Sequence, residues 1–97
     1  MKGILKVIKW NGALEKTGML EPIKLEAIQK AVGGYIETVP GFETYLGQPC
    51  VAFCNEEGKI NGLALNTQAT RFWYQALDQE FPGKLNDVLV GDVAILT

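Results

Sequence analysis

Histidine and serine are absent from this chain, arginine occurs once, as Arg71, and cysteine twice, as Cys50 and Cys54. Without histidine there is no side chain poised to exchange protons near neutral pH, and without serine the remaining nucleophiles are two thiols and the threonines, with no evident base. Neither a Gly-rich phosphate loop nor a nucleophile elbow occurs. The adjacent carboxylates Glu56 and Glu57 fall in a turn signal, where water screens them. These absences predict a protein that is not an enzyme, with no catalytic residues and no cofactor.

A metal site is poorly supported on similar grounds, because two thiols and no histidine fall short of the three or four soft ligands of a closed zinc site; an intermolecular bridge or a metal shared between subunits is the minor alternative. On a strand, Cys50 and Cys54 would share a face about 13 Å apart, beyond the ~7 Å that a disulfide spans. They read as small buried hydrophobes in a reducing compartment.

A lone arginine and a formal net charge of -2 argue against a nucleic-acid partner, since readers of phosphate and guanine lean on arginine. Residues 1–20 do carry four lysines against Glu15. Lys2, Lys6 and Lys9 are expected to blunt an exposed strand edge against pairing with other chains. No stretch approaches ~18 uninterrupted apolar residues, and Gly3 to Ile8 is broken by Lys6. The sequence predicts a soluble, cytoplasmic protein that does not enter a membrane.

What is present is enough apolar material for one core. The 97 residues are 47% hydrophobic and 21% charged, and a chain of that length buries roughly 60 to 65% of its unfolded surface. A single domain over 1–97 is expected, α+β in class: a mostly antiparallel sheet of about 4–5 strands packed against two helices.

Along the chain, Gly3 to Trp10 reads as a strand closed by the turn signal Asn11-Gly12, and residues 13–23 as a loop or short second arm. Pro22 suits a first helical position, with Leu25, Ile28 and Val32 as the apolar stripe and Gly33 ending the helix in positive φ. Gly34 to Val39 reads as a strand stopped by Pro40-Gly41. Phe42 to Gly47 is expected to be a surface loop lying back on the body. Gln48 to Cys54, a turn at Asn55 to Gly58 and a return arm over Lys59 to Ala64 form a predicted hairpin.

The clearest helix has Ala69, Phe72, Trp73, Ala76, Leu77 and Phe81 on one face, with Asn66 or Thr67 as its cap. Phe72 and Trp73 are predicted core anchors, Trp73 needing a partner for its indole N–H. Pro82-Gly83 ends this helix. Val88 to Leu96, opened by Asn86-Asp87 and apolar except at Asp92, reads as an interior strand with a bulge or close backbone approach at Gly91. Asp92 itself reads as a turn residue that satisfies neighbouring N–H groups.

Asn66, Thr67, Thr70 and Arg71 gather at the start of the second helix, where free N–H groups and the dipole favour an anion. They are the candidate ligand-binding residues for a small anionic or nucleotide-like molecule. Arg71 also reads as a surface partner of Gln75 or Asp78, with Tyr74 near that exposed face.

Read in order, VGGYIE over 32–37, NEEGKINGLALNTQAT over 55–70 and LVGDVAIL over 89–96 resemble the DUF3846 family, small proteins found largely in phages, plasmids and bacterial genomes. The resemblance spans roughly residues 25–96 and implies a single DUF3846-like domain of phage or mobile-element origin. It brings no assigned activity and no catalytic residues. The expected function is a non-catalytic binding module for a small anionic ligand; the alternative is a protein-interaction factor that docks on a host protein and modulates it. Strands apolar on both faces also leave room for a homodimer.

Overall fold

The computed structural model describes residues 3–20, 24–81 and 87–97. The chain opens with strands β1 (Gly3–Ile8) and β2 (Leu14–Leu20). Their turn is the Asn11-Gly12 signal, with Gly12 at φ +91° and its N–H donating to the Lys9 carbonyl. Of the two readings of residues 13–23, loop or second arm, the arm is the one that forms, as a full strand over residues 14–20. The pairing Ile8↔Leu14 and Lys6↔Lys16 shifts by one residue before Ile4↔Met19. A bulge absorbs Thr17-Gly18, so the break that those residues suggest costs register instead of ending the strand.

Helix α1 (Leu25–Val32) ends where expected, on Gly33 at φ +80°. Ile28 and Val32 are buried, whereas Leu25 in the first turn is 54% exposed. Pro22 lies outside the described residues. β3 (Ile36–Thr38) follows, then a two-stranded hairpin, β4 (Thr44–Tyr45) with β5 (Gln48–Pro49). Leu46 at φ +52° and Gly47 at φ +79° make its tight turn, the positive-φ pair that hairpins of this length favour. The aromatic segment expected as a surface loop is therefore this hairpin, and it does lie on the body, with Phe42 and Tyr45 buried.

β6 (Val51–Asn55) is the first arm of the predicted hairpin, but Lys59 to Ala64 does not return beside it. Turns wind the chain instead, with Gly58 N–H on Asn55 O, Asn61 N–H on Glu57 O and Gly62 N–H on Lys59 O. Asn61-Gly62 sits in mid-segment with Gly62 at φ +67°, and such a pair bends a strand out of register. After α2 (Thr67–Ala76), the last strand β7 is Val93–Leu96. The predicted span from Val88 is shortened: Val90 makes one isolated bridge to Leu65, and Gly91 turns the chain at φ +71°. Asn86 and Pro82-Gly83 lie outside the described residues.

The main sheet runs β2-β1-β7-β6-β3, antiparallel throughout, with β7 in the middle. This is the α+β sheet and two-helix architecture expected. The lysine reading needs correcting, because β1 is paired on both sides and its edge is not free. Lys6 instead sets its ammonium 5.3 Å from the Tyr45 ring centre, a cation–π contact; Lys2 lies outside the described residues.

Strand alternation splits the core in two. Leu5 and Ala94 face α1, while Ile8, Val93, Ile95 and Ala52 face α2 and the Phe42–Tyr45 segment. Trp73 is a core anchor whose indole N–H donates to Pro40 O at 2.9 Å, and Phe72 packs against this core half-buried. The buried stripe of α2 is rotated from the predicted one: Thr70 and Tyr74 are 0% and 1% exposed. Both can be buried because their hydroxyls have partners, Asn66 O for Thr70 and Asp87 O for Tyr74. The helix stops at Leu77, with Asp78 at φ +55°, yet Phe81 still packs edge-on against Tyr74. Among the described residues no helix is long and apolar enough to cross a membrane.

Candidate functional site

The four residues gathered by sequence at the start of α2 divide into two pairs. Asn66 is fully buried and saturated: its amide donates to the carbonyls of Ile8 and Gly91, both at 2.8 Å, and its oxygen accepts the Ala69 N–H at 2.9 Å. Thr70 donates to Asn66 O at 2.7 Å and accepts the Leu89 N–H at 3.0 Å. Their polar atoms stitch α2 to β1 and to the segment before β7. Thr67 and Arg71 are exposed, and Arg71 makes no ion pair among the described residues.

A wide concavity among the described residues lies on the other face of the sheet. α1 packs over β7, β6 and β3, so the β1–β2 side of that face is left as a groove of about 590 Å³. Leu5 and Val7 form its floor, Ala27, Ala31 and Val32 its helical wall, and Leu63 with Gly91 one end. Trp10, 55% exposed, and Glu15 stand on the sheet side, and Lys30 on the helix side. Burial of Ile28 and Val32 orients α1 so that Ala27 and Ala31 present small side chains to the groove.

Asp92 organises the sheet side. Its Oδ1 accepts the Trp10 backbone N–H at 3.0 Å and its Oδ2 meets Lys9 Nζ at 3.1 Å. The turn reading of Asp92 is corrected in its partner: the N–H it satisfies is 82 residues away, not adjacent. The hydrogen bond to Asp92, followed by the charges of Asp92 and Glu15, holds the Lys9 ammonium above the ordinary lysine range. Lys9 therefore stays protonated at neutral pH. A carboxylate with both oxygens engaged and an ammonium that holds its proton are equipped to bind and position.

No pattern in the sequence marks this groove. Its residues come from β1, β2, α1, the Leu63-Ala64 segment and Gly91-Asp92, and only the LVGDVAIL motif carried a hint, in Asp92.

A smaller cavity of about 120 Å³ near β3 takes in Glu37, Cys54, Ile60 and Trp73. Burial first, and Glu37 second, push the Cys54 thiol up to about 11; its Sγ donates to Glu37 Oε1 at 3.6 Å. Burial also raises Cys50. Because the thiolate is the reactive form, iodoacetamide at pH 8 should label Cys54 in the folded protein about two orders of magnitude more slowly than in the denatured chain, whose thiols ionise near pH 9. Equal rates by mass spectrometry would contradict this environment. A thiol raised on folding supports stability below its unfolded pKa and loses that support as pH climbs from about 9 through about 11. Among the described residues no group of three or more Cys, Asp or Glu could hold a metal ion.

No curated protein and no solved structure matches the chain significantly. The model of the domain of unknown function DUF3846 matches residues 6–97, reaching past the three motifs to take in the second half of β1, all of β2 and with them Lys9, Trp10 and Glu15. The chain belongs to the DUF3846 family.

Proposed function

We propose that this domain is a non-catalytic binding module that takes a small, flat molecule with an anionic end in the groove beside α1. The observation that carries the reading is the groove itself: about 590 Å³ falls within the roughly 300–1,000 Å³ of small-ligand sites, and an apolar floor with a few convergent polar groups is their usual composition. Trp10 offers an indole face to stack on. Lys30 makes no ion pair among the described residues, so it is available to an anion. The α2 start is the weaker location, since the side chains of Asn66 and Thr70 are already committed.

Thermal shift and tryptophan fluorescence with a panel of nucleotides and aromatic acids test this. A ligand at a hundredfold excess over its Kd should stabilise the protein by about 2.7 kcal/mol, and the exposed indole of Trp10 should change its emission. Trp10→Ala should weaken binding at least tenfold with little change in melting temperature, while Thr67→Ala and Arg71→Ala should not. If the pair at α2 matters and Trp10 does not, the site belongs at the helix start; if no compound alters Trp10 emission, the reading fails.

A protein-docking role is favoured by one separate observation. Tyr35 and Ile60, 69% and 86% exposed, lie near β3, whose outer edge has no partner strand among the described residues. Such an edge and apolar pair suit a host protein or a second copy of this chain. In either reading the protein acts in the cytoplasm, as a phage or mobile-element product.

A further inference from the structure

The groove is electrically polarised across its width. On the sheet side one ammonium serves two carboxylates: Lys9 Nζ lies 3.1 Å from Asp92 and 3.9 Å from Glu15. Asp92 is occupied on both oxygens, by Lys9 and by the Trp10 N–H. Among the described residues Glu15 has only the long contact, and its side chain is 59% exposed. One unit of negative charge is therefore left beside Trp10. On the helix side Lys30 carries positive charge with no carboxylate partner among the described residues. The floor between these walls is aliphatic, Leu5 and Val7.

A simple anion satisfies one wall and is repelled by the other. A multiply charged phosphate is repelled most, since it brings two negative charges toward Glu15 and Asp92. We propose that the groove selects zwitterionic rod-like molecules, with an ammonium at the end facing Glu15, a carboxylate at the end facing Lys30, and a flat apolar body lying against Trp10. This rests on the groove being the binding site and narrows what it takes. Trp10 favours an ammonium end for a second reason, because a cation beside an indole face is attracted by the ring quadrupole.

Three probes with one ring separate the charges: 4-(aminomethyl)benzoate carries both, 4-methylbenzoate only the anion, and 4-methylbenzylamine only the cation. Calorimetric titration of the full chain should find the first bound about two- to fivefold more tightly than either of the others, the scale of exposed ion pairs. Lys30→Gln should make the zwitterion bind no better than the amine, and Glu15→Gln should make it bind no better than 4-methylbenzoate. The margin should shrink in 1 M salt. Equal affinity of 4-methylbenzoate or of the amine for the wild-type protein would overturn the inference. So would no binding by any of the three while another panel compound alters Trp10 emission, in which case the groove remains a site of different selectivity. If nothing alters Trp10 emission, the inference and the groove reading fall together.

Discussion

Asn66→Ala should destabilise the domain by about 3–5 kcal/mol and lower its melting temperature by about 15 °C or more. Asn66 is 0% exposed and makes three hydrogen bonds, to Ile8 O, Gly91 O and the Ala69 N–H. Each buried polar group deprived of its partner costs about 1–3 kcal/mol, and chains of this size shift by about 4–8 °C per kcal/mol. A total stability of about 5–15 kcal/mol leaves little reserve. Asn66→Asp is the sharper test. Aspartate is as good a helix cap as asparagine and suits the positive end of the dipole, so a merely capping residue would tolerate it. Here the one nitrogen that donates both bonds would become a carboxylate oxygen facing two carbonyl oxygens. Chemical denaturation should therefore rank Asn66→Asp with Asn66→Ala; a loss under about 1 kcal/mol would show that the cap is all that matters.

Asn66 also marks how far the sequence could be read. Its cap was legible because capping is local, from residue 66 to residue 69. Its other two bonds were not, since Ile8 and Gly91 lie 58 and 25 residues away. The same division holds elsewhere. Gly33 ending α1, Asn11-Gly12 closing the first turn and the apolar run of β7 were all visible in short windows. Thr70 and Tyr74 fall outside the apolar stripe that the sequence predicts, and only tertiary partners for their hydroxyls make them buriable. The Lys59 to Ala64 arm does not form because Asn61-Gly62, a turn signal, lies inside it, with Gly62 at φ +67°.

The groove was least legible of all. Trp10 followed a strand and preceded a turn, so nothing local distinguished it from any aromatic at a strand end. Its significance comes from Asp92, which fixes its backbone across the sheet, and from α1 sitting over β7, β6 and β3 instead of β1. Helix placement depends on which side chains of Ile28, Val32, Phe53 and Ala94 pack together. That is information spread over 67 residues. Family membership gives no activity to set beside it.

Gly91→Ala should cost about 2–4 kcal/mol and damage the groove at the same time. Gly91 sits at φ +71°, where an L side chain pays roughly 1–2 kcal/mol. A Cβ there would stand 2.7 Å from Leu63 Cδ1 and 3.5 Å from Leu63 Cβ, so the Leu63 side chain must shift, and because its tip can move the added cost lies in the lower half of the overpacking range, about 1–2 kcal/mol. Its own polar groups are committed too, the N–H to Ala64 O at 2.7 Å and the carbonyl to Asn66. Leu63 and Gly91 close one end of the groove, and Asp92 is the next residue. A melting temperature lower by about 10–20 °C should therefore come with weaker binding of any groove ligand. The two costs separate in a double-mutant cycle, because Leu63→Ala removes the clash and leaves the backbone strain. In the Gly91→Ala background Leu63→Ala should cost less than it does in the wild type, the difference being the steric share. Melting within about 3 °C of wild type for Gly91→Ala would mean that the turn relaxes freely, and that neither Leu63 nor Asp92 is held in place by it.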